Sequence, residues 1–449
     1  MDTYIIIITL IILYFLIIFI LNRMNILKKY NISFYGPALM IRTQKGIGWL
    51  KKISNIKKFW KFFANFGIIF CFIMMAIMVL VLIFQTWMVI GFSPEQIEAI
   101  PGIEFGLVIP GLNPILPLEY LLYIIVAFII AIIVHEFSHG ILTFVSGLKV
   151  KSLGLLYLII PLGAFCEPDE ESLKTTNLSK RMRIYSAGPT ANFSVVIISL
   201  LLFSFIFMAS VQPIQGAHIF YVIEDSPAEK IGLATGSIIT EIDEIEVQNN
   251  SDFYNIMSLR YPGDLINITF LKGGNEINSQ VLLDNRYNYT NNVSHNNLSF
   301  LGVGFNPYIG YVSVLKNPFK YDFPNGLLLL YALPFFGYMV GYNPIASPFT
   351  DSLVINGPLN VLPTNIFWGI VNTLYWIFWL NLAVALFNVL PIMPLDGGFL
   401  FNDAIKKLIF KFKSNISDSK NNQIARNIST FISLLILIIV LFPWIIKYL

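Results

Sequence analysis

Six long apolar runs constrain this chain more than any other feature of its sequence. They cover residues 4–21, 64–90, 119–145, 184–210, 366–392 and 429–446. Each run is long enough to cross the roughly 30 Å hydrocarbon layer of a bilayer as a helix. The composition agrees, because 56% of the residues are hydrophobic and 12% are charged, whereas soluble domains carry about 25% charged residues. We predict an α-helical polytopic membrane protein with about six spans.

The positions of lysine and arginine predict how these spans are oriented. Residues 22–63 carry ten basic residues and no acidic one, whereas residues 91–119 carry four glutamates and no basic residue. Short loops rich in Lys and Arg stay in the cytoplasm, so 22–63 and the basic loop 405–426 are expected inside. Both termini are then expected outside.

One further apolar run, residues 324–341, does not fit as a seventh span. A full crossing there would move the loop 405–426 to the outer side. Pro334, Gly337 and Gly341 would also weaken a regular spanning helix. We predict that this run is a shallow or re-entrant segment on the outer side.

A soluble insert interrupts the membrane segments between the fourth and fifth runs. Residues 217–285 alternate apolar and polar positions and carry Gly- and Pro-rich turn signals, a pattern that predicts a small, mostly β domain. The stretch 222–243 resembles a PDZ domain, although Ser237 and Glu244 stand where such domains usually have Asp and Gly. A PDZ groove would accept an extended peptide at a sheet edge. The alternative is a rigid exterior cap that only blocks access.

The third apolar run contains the motif His135-Glu136-Phe137-Ser138-His139. In a helix, residues four apart lie on one face, so both imidazoles can bind one metal ion while Glu136 reaches a water molecule at that metal. The alternative is a histidine pair that satisfies polar groups between helices. Ionisable side chains inside a span are costly and usually functional, which favours the metal site.

A catalytic zinc site generally has three protein ligands, and Asp396 is the best candidate for the third. It is the first acidic residue after the fifth run, at the cytoplasmic end where His135 and His139 are also expected. The remaining histidines, His218 and His295, lie in or beside the insert. An interfacial carboxylate that faces lipid headgroups is the alternative for Asp396.

Together these motifs resemble the site-2 protease family of intramembrane zinc metalloproteases. His135–His139 matches the first family motif, and Asn388-x-x-Pro391 with Leu395-Asp396-Gly397 matches the second. Residues 160–165 resemble the membrane re-entrant β-loop of the family, and residues 186–193 resemble the start of its third core helix. The resemblance implies one Zn²⁺ per chain, with Glu136 as the acid/base.

The resemblance also implies residues that hold the substrate. Asn388 and Asn192 would bind the substrate backbone or the oxyanion, although hydrogen bonds between helices explain Asn192 equally well. Gly163 and Phe165 belong to a predicted edge strand that would hold the unwound substrate extended. The expected substrates are membrane-anchored proteins, cut within or near their transmembrane segments.

The sequence divides into five predicted parts. They are an extra span and basic cytoplasmic segment (1–63), a first half of the membrane core (64–210), a PDZ-like extracytoplasmic domain (211–310), an outer re-entrant segment with the second half of the core (311–400), and a basic loop with the last span (401–449). The active site is expected toward the cytoplasmic side.

Two other functions are compatible with a metal site in a membrane. A transporter would carry polar residues at mid-depth on several helices or inverted repeats, and the sequence shows neither. A membrane scaffold built around the insert would not need Glu136. A net charge of +3 gives no argument for a nucleic-acid partner.

Overall fold

The computed structural model describes residues 3–29, 31–35, 38–158, 160–305, 310–320, 323–340, 343–413 and 416–449. The chain forms two compact units. The first contains Met1–Val108, Glu119–Ile198 and Trp376–Leu449, and the second contains Ile109–Leu118 and Ser199–Tyr375. The predicted five-part division of the sequence stays a prediction.

Helices dominate the described part of the chain. Its α-helices are Thr3–Arg23, Ile26–Lys29, Ile47–Ile53, Lys57–Ile90, Pro94–Glu98, Leu121–Val145, Glu170–Thr175, Leu178–Tyr185, Ala187–Leu201, Pro227–Lys230, Asn250–Met257, Tyr287–Thr290, Tyr311–Lys316, Asn325–Val340, Thr364–Asn388, Asp396–Phe412 and Asp418–Tyr448. Four of them recur below: the HEFSH helix (Leu121–Val145), the Gly188 helix (Ala187–Leu201), the Asp396 helix (Asp396–Phe412) and the last helix (Asp418–Tyr448).

Five helical segments among the described residues are long and apolar enough to cross a membrane. They are Lys57–Ile90, Leu118–Val145, Leu178–Ser210, Thr364–Asn388 and Asp418–Tyr448, and they correspond to five of the six predicted spans. The sixth, 4–21, falls in helix Thr3–Arg23, whose side chains up to residue 11 lie outside the described part. The α-helical membrane fold is therefore confirmed, whereas the count of six stays a prediction.

The predicted re-entrant run forms the helix Asn325–Val340, which has Pro334 in its interior. Its 16 residues would rise only about 24 Å at 1.5 Å per residue, less than a full hydrocarbon layer. Gly341 lies outside the described residues. The shallow placement of this helix stays a prediction.

A four-stranded antiparallel sheet belongs to the first unit. Its order is β1 (Ile32–Tyr35), β2 (Ala38–Thr43), β3 (Val150–Leu158) and β4 (Ile160–Pro168). Strand β4 contains residues 160–165, the predicted β-loop, and pairs with β3, while β1 and β2 come from the basic segment 22–63. That segment, to which the sequence assigned no role, thus extends the sheet on one side and leaves β4 as the edge strand on the other. The re-entrant placement of the β-loop in the membrane stays a prediction.

The second unit contains the insert, which is mostly β as predicted. Strands β6 (Ala217–Val222), β7 (Ile238–Ile242), β9 (Leu265–Lys272), β10 (Asn275–Leu282) and β13 (Val303–Phe305) form an antiparallel sheet in the order β10-β9-β7-β6-β13, and β8 (Ile245–Glu246) pairs with β7. The shorter strands are β5 (Val211–Pro213), β11 (Asp284–Asn285), β12 (Ser299–Phe300) and β14 (Leu353–Ile355).

The alternation along these strands builds a core for the insert. Ile268 and Phe270 of β9 are fully buried on the inner face, as expected when every second side chain points inward. Ile239 and Ile242 of β7 are also fully buried although they are three residues apart, because the register of β7 against β9 shifts between Ile239 and Glu241. Glu244 stands where PDZ domains usually have glycine, and its φ of 64° is in the left-handed region that favours glycine. The unusual residue therefore occupies the turn after β7 with a strained backbone.

Candidate metal centre and active site

The HEFSH helix places its two histidines one above the other. Leu121–Val145 contains no proline and no glycine before Gly140, so the helix continues without a break through the motif. The rings of His135 and His139 are 4.8 Å apart between centroids, and both residues are buried. The spacing of four residues thus places both imidazoles on one face of the helix, as predicted.

Asp396 is the first residue of the Asp396 helix, which follows a tight loop. A Cβ on Gly397 would lie 2.3 Å from the carbonyl oxygens of Val389 and Leu390, so glycine lets the loop fold back onto the first turn of the helix. Ser433 of the last helix also fixes this loop. Its hydroxyl accepts the N–H of Met393 at 3.0 Å and lies 3.1 Å from the carbonyl oxygen of Pro391.

The two elements bring the three predicted ligands together. Asp396 Oδ2 lies 2.9 Å from His135 Nε2 and 3.2 Å from His139 Nε2. One donor atom from each residue lies within 4.8 Å of the other two. Two imidazole nitrogens and one carboxylate oxygen are a donor set that suits a catalytic zinc ion.

The orientation of His139 supports a metal ion among these atoms. Its Nδ1–H donates to the carbonyl oxygen of Ile184 at 2.7 Å, so Nε2 carries the lone pair in the neutral ring. That lone pair faces the Asp396 carboxylate, which is itself an acceptor. A cation between the two groups removes this repulsion, and a backbone partner for the second ring nitrogen is the usual support of a histidine ligand.

Gly188 makes room at the same point. A Cβ on this residue would lie 2.5 Å from Nε2 of both His135 and His139, which is closer than nonbonded atoms approach. The Gly188 helix can therefore pass directly beside the nitrogens that would bind the metal only because residue 188 has no side chain. The space left by the missing side chain of Gly188 is compatible with a metal ion bound to both imidazoles.

Glu136 is held by the edge strand of the sheet. The backbone N–H of Cys166 in β4 donates to Glu136 Oε2 at 2.8 Å, and Glu136 lines the same cavity as the three ligands. This contact fixes one carboxylate oxygen and leaves the other for proton transfer. It also ties the expected acid/base to the strand that is expected to hold the substrate.

Two of the four predicted substrate residues lie on this cavity, which has a volume of about 1080 Å³. Asn388 and Phe165 both contribute to its lining. The Asn388 amide donates to the carbonyl oxygen of Val384 at 3.0 Å, which leaves its second N–H available. The guanidinium of Arg42, in β2, lies 5.9 Å from the centre of the Phe165 ring.

The other two substrate candidates lie elsewhere. Asn192 is fully buried, and its amide donates to the carbonyl oxygen of Ala131 at 3.4 Å. This is the helix-packing contact that the sequence left open as an alternative. Gly163 is in the edge strand β4, where it pairs with Leu156 of β3, and it does not line the cavity. A Cβ at this position would meet no atom within 4 Å.

The sheet that carries β4 is braced by charged side chains. Glu167 Oε2 accepts from Ser152 Oγ at 2.5 Å and from Arg42 Nε at 3.2 Å. These hydrogen bonds, first from Ser152 and then from Arg42, lower the pKa of Glu167. The carboxylate is therefore ionised at neutral pH, and it links β2, β3 and β4 next to Cys166.

Sequence reasoning missed three supports of this site. They are the Ile184 carbonyl, the Cys166 backbone N–H and the missing side chain of Gly188. The first two are backbone groups, which any residue could supply, so residue identity carries no signal for them. Gly188 was visible as a glycine inside an apolar helix, which is often a point of close packing.

The fold and this constellation define a membrane metalloprotease. The sequence profile of Peptidase family M50 matches residues 123–439, a range that contains all three residues of the candidate metal centre. The chain belongs to this family, and the family resemblance seen in the sequence is confirmed. It is a zinc metalloprotease with helices that cross the membrane.

The chain is also similar to individual proteins of several organisms. The chain is 29% identical over 403 residues to the uncharacterized protein MJ0971 of Methanocaldococcus jannaschii, across 89% of this chain and 86% of that protein. It is 26% identical over 234 residues to zinc metalloprotease RasP of Shouchella clausii, across 50% of each chain. The PDZ domain of the SdrC-like protein Lmo2051 from Listeria monocytogenes matches 21% of this chain and 90% of its own length, with 20% identity and a TM-score of 0.18.

Proposed function

We propose that this protein hydrolyses peptide bonds within or near the transmembrane segments of membrane-anchored proteins, as a step of regulated intramembrane proteolysis. The observation that carries the proposal is the convergence of three metal donors, within 4.8 Å of one another, beside a glutamate bonded to an edge strand. Pure metal transport needs the donors but has no use for that glutamate.

In this proposal each residue of the site has one task. His135, His139 and Asp396 hold one zinc ion per chain. Zinc would act as a Lewis acid that polarises the scissile carbonyl, and it would lower the pKa of the attacking water so that the water can lose a proton at neutral pH. Glu136 takes a proton from the attacking water with its free oxygen and returns it to the leaving amine. Asn388 offers its second amide N–H to the developing oxyanion.

Strand β4 is proposed to hold the substrate extended. A helical substrate hides its carbonyl groups in its own hydrogen bonds, so the helix must unwind before cleavage. Because the Cys166 N–H points from the sheet edge toward Glu136, alternation places the backbone of Ala164 on the same edge. A substrate strand that pairs there would bring its next peptide bond beside Glu136.

The proposed orientation places the site toward the cytoplasm and the insert outside. It rests on the basic residues of 22–63 and 405–426, because such loops stay in the cytoplasm. Single cysteines at Ser251 and Lys411, both exposed, test it in a chain whose native cysteines are replaced. A membrane-impermeant reagent outside intact cells is expected to label position 251 and not 411, and the opposite pattern would invert the orientation.

The activity itself is tested with purified protein and a tethered single-span substrate. Cleavage is expected to require zinc, to stop with a zinc chelator, and to return when zinc is added back. Mass spectrometry of the products locates the cut. Cleavage that continues after complete removal of the metal would overturn the proposal.

A further inference from the structure

The cavity in front of the metal centre extends well beyond the residues that the chemistry needs. It continues along the Asp396 helix to Asn402 and Lys406, and it reaches Gln423 and Arg426 near the start of the last helix. These distal residues are polar, and all of them belong to the first compact unit. The proposed mechanism gives them no task.

The distal wall of this cavity is strongly basic. Lys174, Arg181, Lys406 and Arg426 line it, whereas Glu170 is its one acidic residue among the described residues apart from Glu136 and Asp396. We call these four side chains the basic wall. Arg426 is exposed, and it forms no ion pair within the described ranges. The wall therefore has positive charge available for a ligand.

A buried carboxylate sets part of this wall in place. Asp403 has no exposed side-chain surface, and its Oδ1 lies 2.6 Å from Arg181 Nη2 and 3.7 Å from Lys406 Nζ. Lys174 pairs with Glu170 at 3.2 Å. The basic wall thus has four cations and two carboxylates, and the carboxylates pair with Lys174, Arg181 and Lys406 but not with Arg426. About two positive charges therefore remain uncompensated. A charge held by a buried partner is preorganised and loses little entropy when a ligand binds.

The helix geometry gives the distance from the cut site to the wall. Lys406 follows Asp396 by ten residues on one helix, a rise of about 15 Å at 1.5 Å per residue. An extended peptide covers about 3.3 Å per residue, so this distance corresponds to roughly four or five residues. Side-chain length widens the range to about three to six residues.

We propose that the basic wall is a subsite for acidic residues of the substrate, about three to six residues from the scissile bond on its non-membrane side. This inference rests on the proposed function, because it assigns a substrate class to that same site. Most membrane proteins carry Lys and Arg on their cytoplasmic flank. The wall would repel those flanks and attract Asp and Glu, so it would select by both attraction and repulsion.

The test uses the purified full-length enzyme in neutral detergent with three single-span substrates. They are identical except for residues three to six beyond the cut, which are Asp/Glu, Ser/Gln or Lys/Arg. The acidic substrate is expected to have a KM about five- to tenfold below that of the neutral one, as favourable charge pairs near a protein surface allow. The basic substrate is expected to have a higher KM, and kcat is expected to change little.

A charge reversal identifies the wall as the cause. Arg426→Glu is expected to remove the preference for the acidic substrate, measured in the variant itself as the ratio of kcat/KM for the acidic and the neutral substrate. Lys420→Glu is the matched control, because Lys420 is exposed on the same helix and does not line the cavity. It is expected to keep the preference. High salt is expected to weaken the preference because exposed charges are screened.

The outcomes separate this inference from the proposed function. Equal cleavage of all three substrates overturns the subsite and leaves the protease activity standing, whereas no cleavage of the neutral substrate by the zinc-loaded enzyme overturns the proposed function. The same assay is repeated with vesicles of neutral or anionic lipid. If Arg426→Glu alters activity only with anionic lipid and without regard to substrate charge, the wall binds headgroups and the inference is wrong.

Discussion

The two compact units each contain one pair of histidines, and the pairs differ in every respect that matters for metal binding. In the first unit, His135 and His139 point their Nε2 atoms at one carboxylate oxygen. In the second, the Nε2–H of His218 donates to the backbone carbonyl oxygen of Ile214 at 2.8 Å, and His295 Nδ1 lies 2.9 Å from Thr290 Oγ1.

The difference shows what makes a histidine a candidate ligand. Burial is not sufficient, since His218 is buried as deeply as His135. Burial lowers the pKa of His218 and keeps it neutral, but among the described residues it belongs to no group of metal donors. His135 and His139 face a second element that supplies an anion. The two histidine pairs therefore differ as candidate ligands because the HEFSH helix and the Asp396 helix converge at the first pair, and not because of residue type.

The largest expected effect separates catalysis from metal binding within the first pair. Glu136→Gln keeps the shape of the side chain and removes its capacity to take a proton, so cleavage is expected to fall by about 10³-fold or more. Zinc content is expected to stay near one per chain because Glu136 is not a proposed ligand. Single-turnover cleavage and metal analysis of the same sample measure both quantities. Near-normal cleavage by this variant would contradict the assigned role.

The second prediction addresses the comparison of the two histidine pairs directly. Asp396→Ala removes the anion that His135 and His139, the proposed ligands, both face. Zinc affinity is expected to fall by at least about 100-fold, more than on the loss of a group that only supports a ligand. His218→Ala is the matched control, a buried histidine of the other unit, and it is expected to leave zinc affinity unchanged. Metal competition titrations compare the two. Equal zinc affinity in both variants would remove Asp396 from the ligand set.

A smaller loss is expected from adding one methyl group beside the ligand pair. Gly188→Ala would place a Cβ 2.5 Å from both Nε2 atoms, so the histidines or the Gly188 helix must shift. Zinc affinity is expected to fall by about 10- to 100-fold, as when ligand orientation is disturbed. Gly48→Ala is the control, because Gly48 is also helical and its Cβ would meet no atom within 4 Å. If both variants bound zinc like the wild type, the close approach at Gly188 would not matter for the metal.

The same comparison shows what the sequence could predict. The HEFSH spacing places two imidazoles on one helix face by local geometry alone, and the apolar runs predict spanning helices from length alone. The approach of Asp396, 257 residues after His139, could be inferred only from matching depth and family resemblance. The pairing of β1 with β2, and of β2 with β3, was missed, because a strand in a basic segment gives no sign of its partner. Backbone contacts such as Cys166 to Glu136 have no signature in residue type.

Removal of the insert is the largest change to the chain, and it is expected to have the smallest effect on zinc affinity. Residues 216–305 contain the whole sheet from β6 to β13 and its core, so a deletion joined by a short flexible linker leaves no partial sheet behind. This segment contains His218 and His295, but none of the proposed ligands. Zinc affinity is therefore expected to stay within about twofold of the wild type, since independent sites contribute additively.

The substrate range of the deletion variant then decides what the insert does. If the insert is an exterior cap, the variant is expected to cut substrates with large exterior domains more readily than the intact enzyme, and to cut a short substrate at a similar rate. Loss of all cleavage with zinc retained would instead show that the insert is needed to bind substrate, as a peptide-binding PDZ groove would be. Loss of zinc would mean that the two histidine pairs are not independent, and the contrast between them would no longer hold.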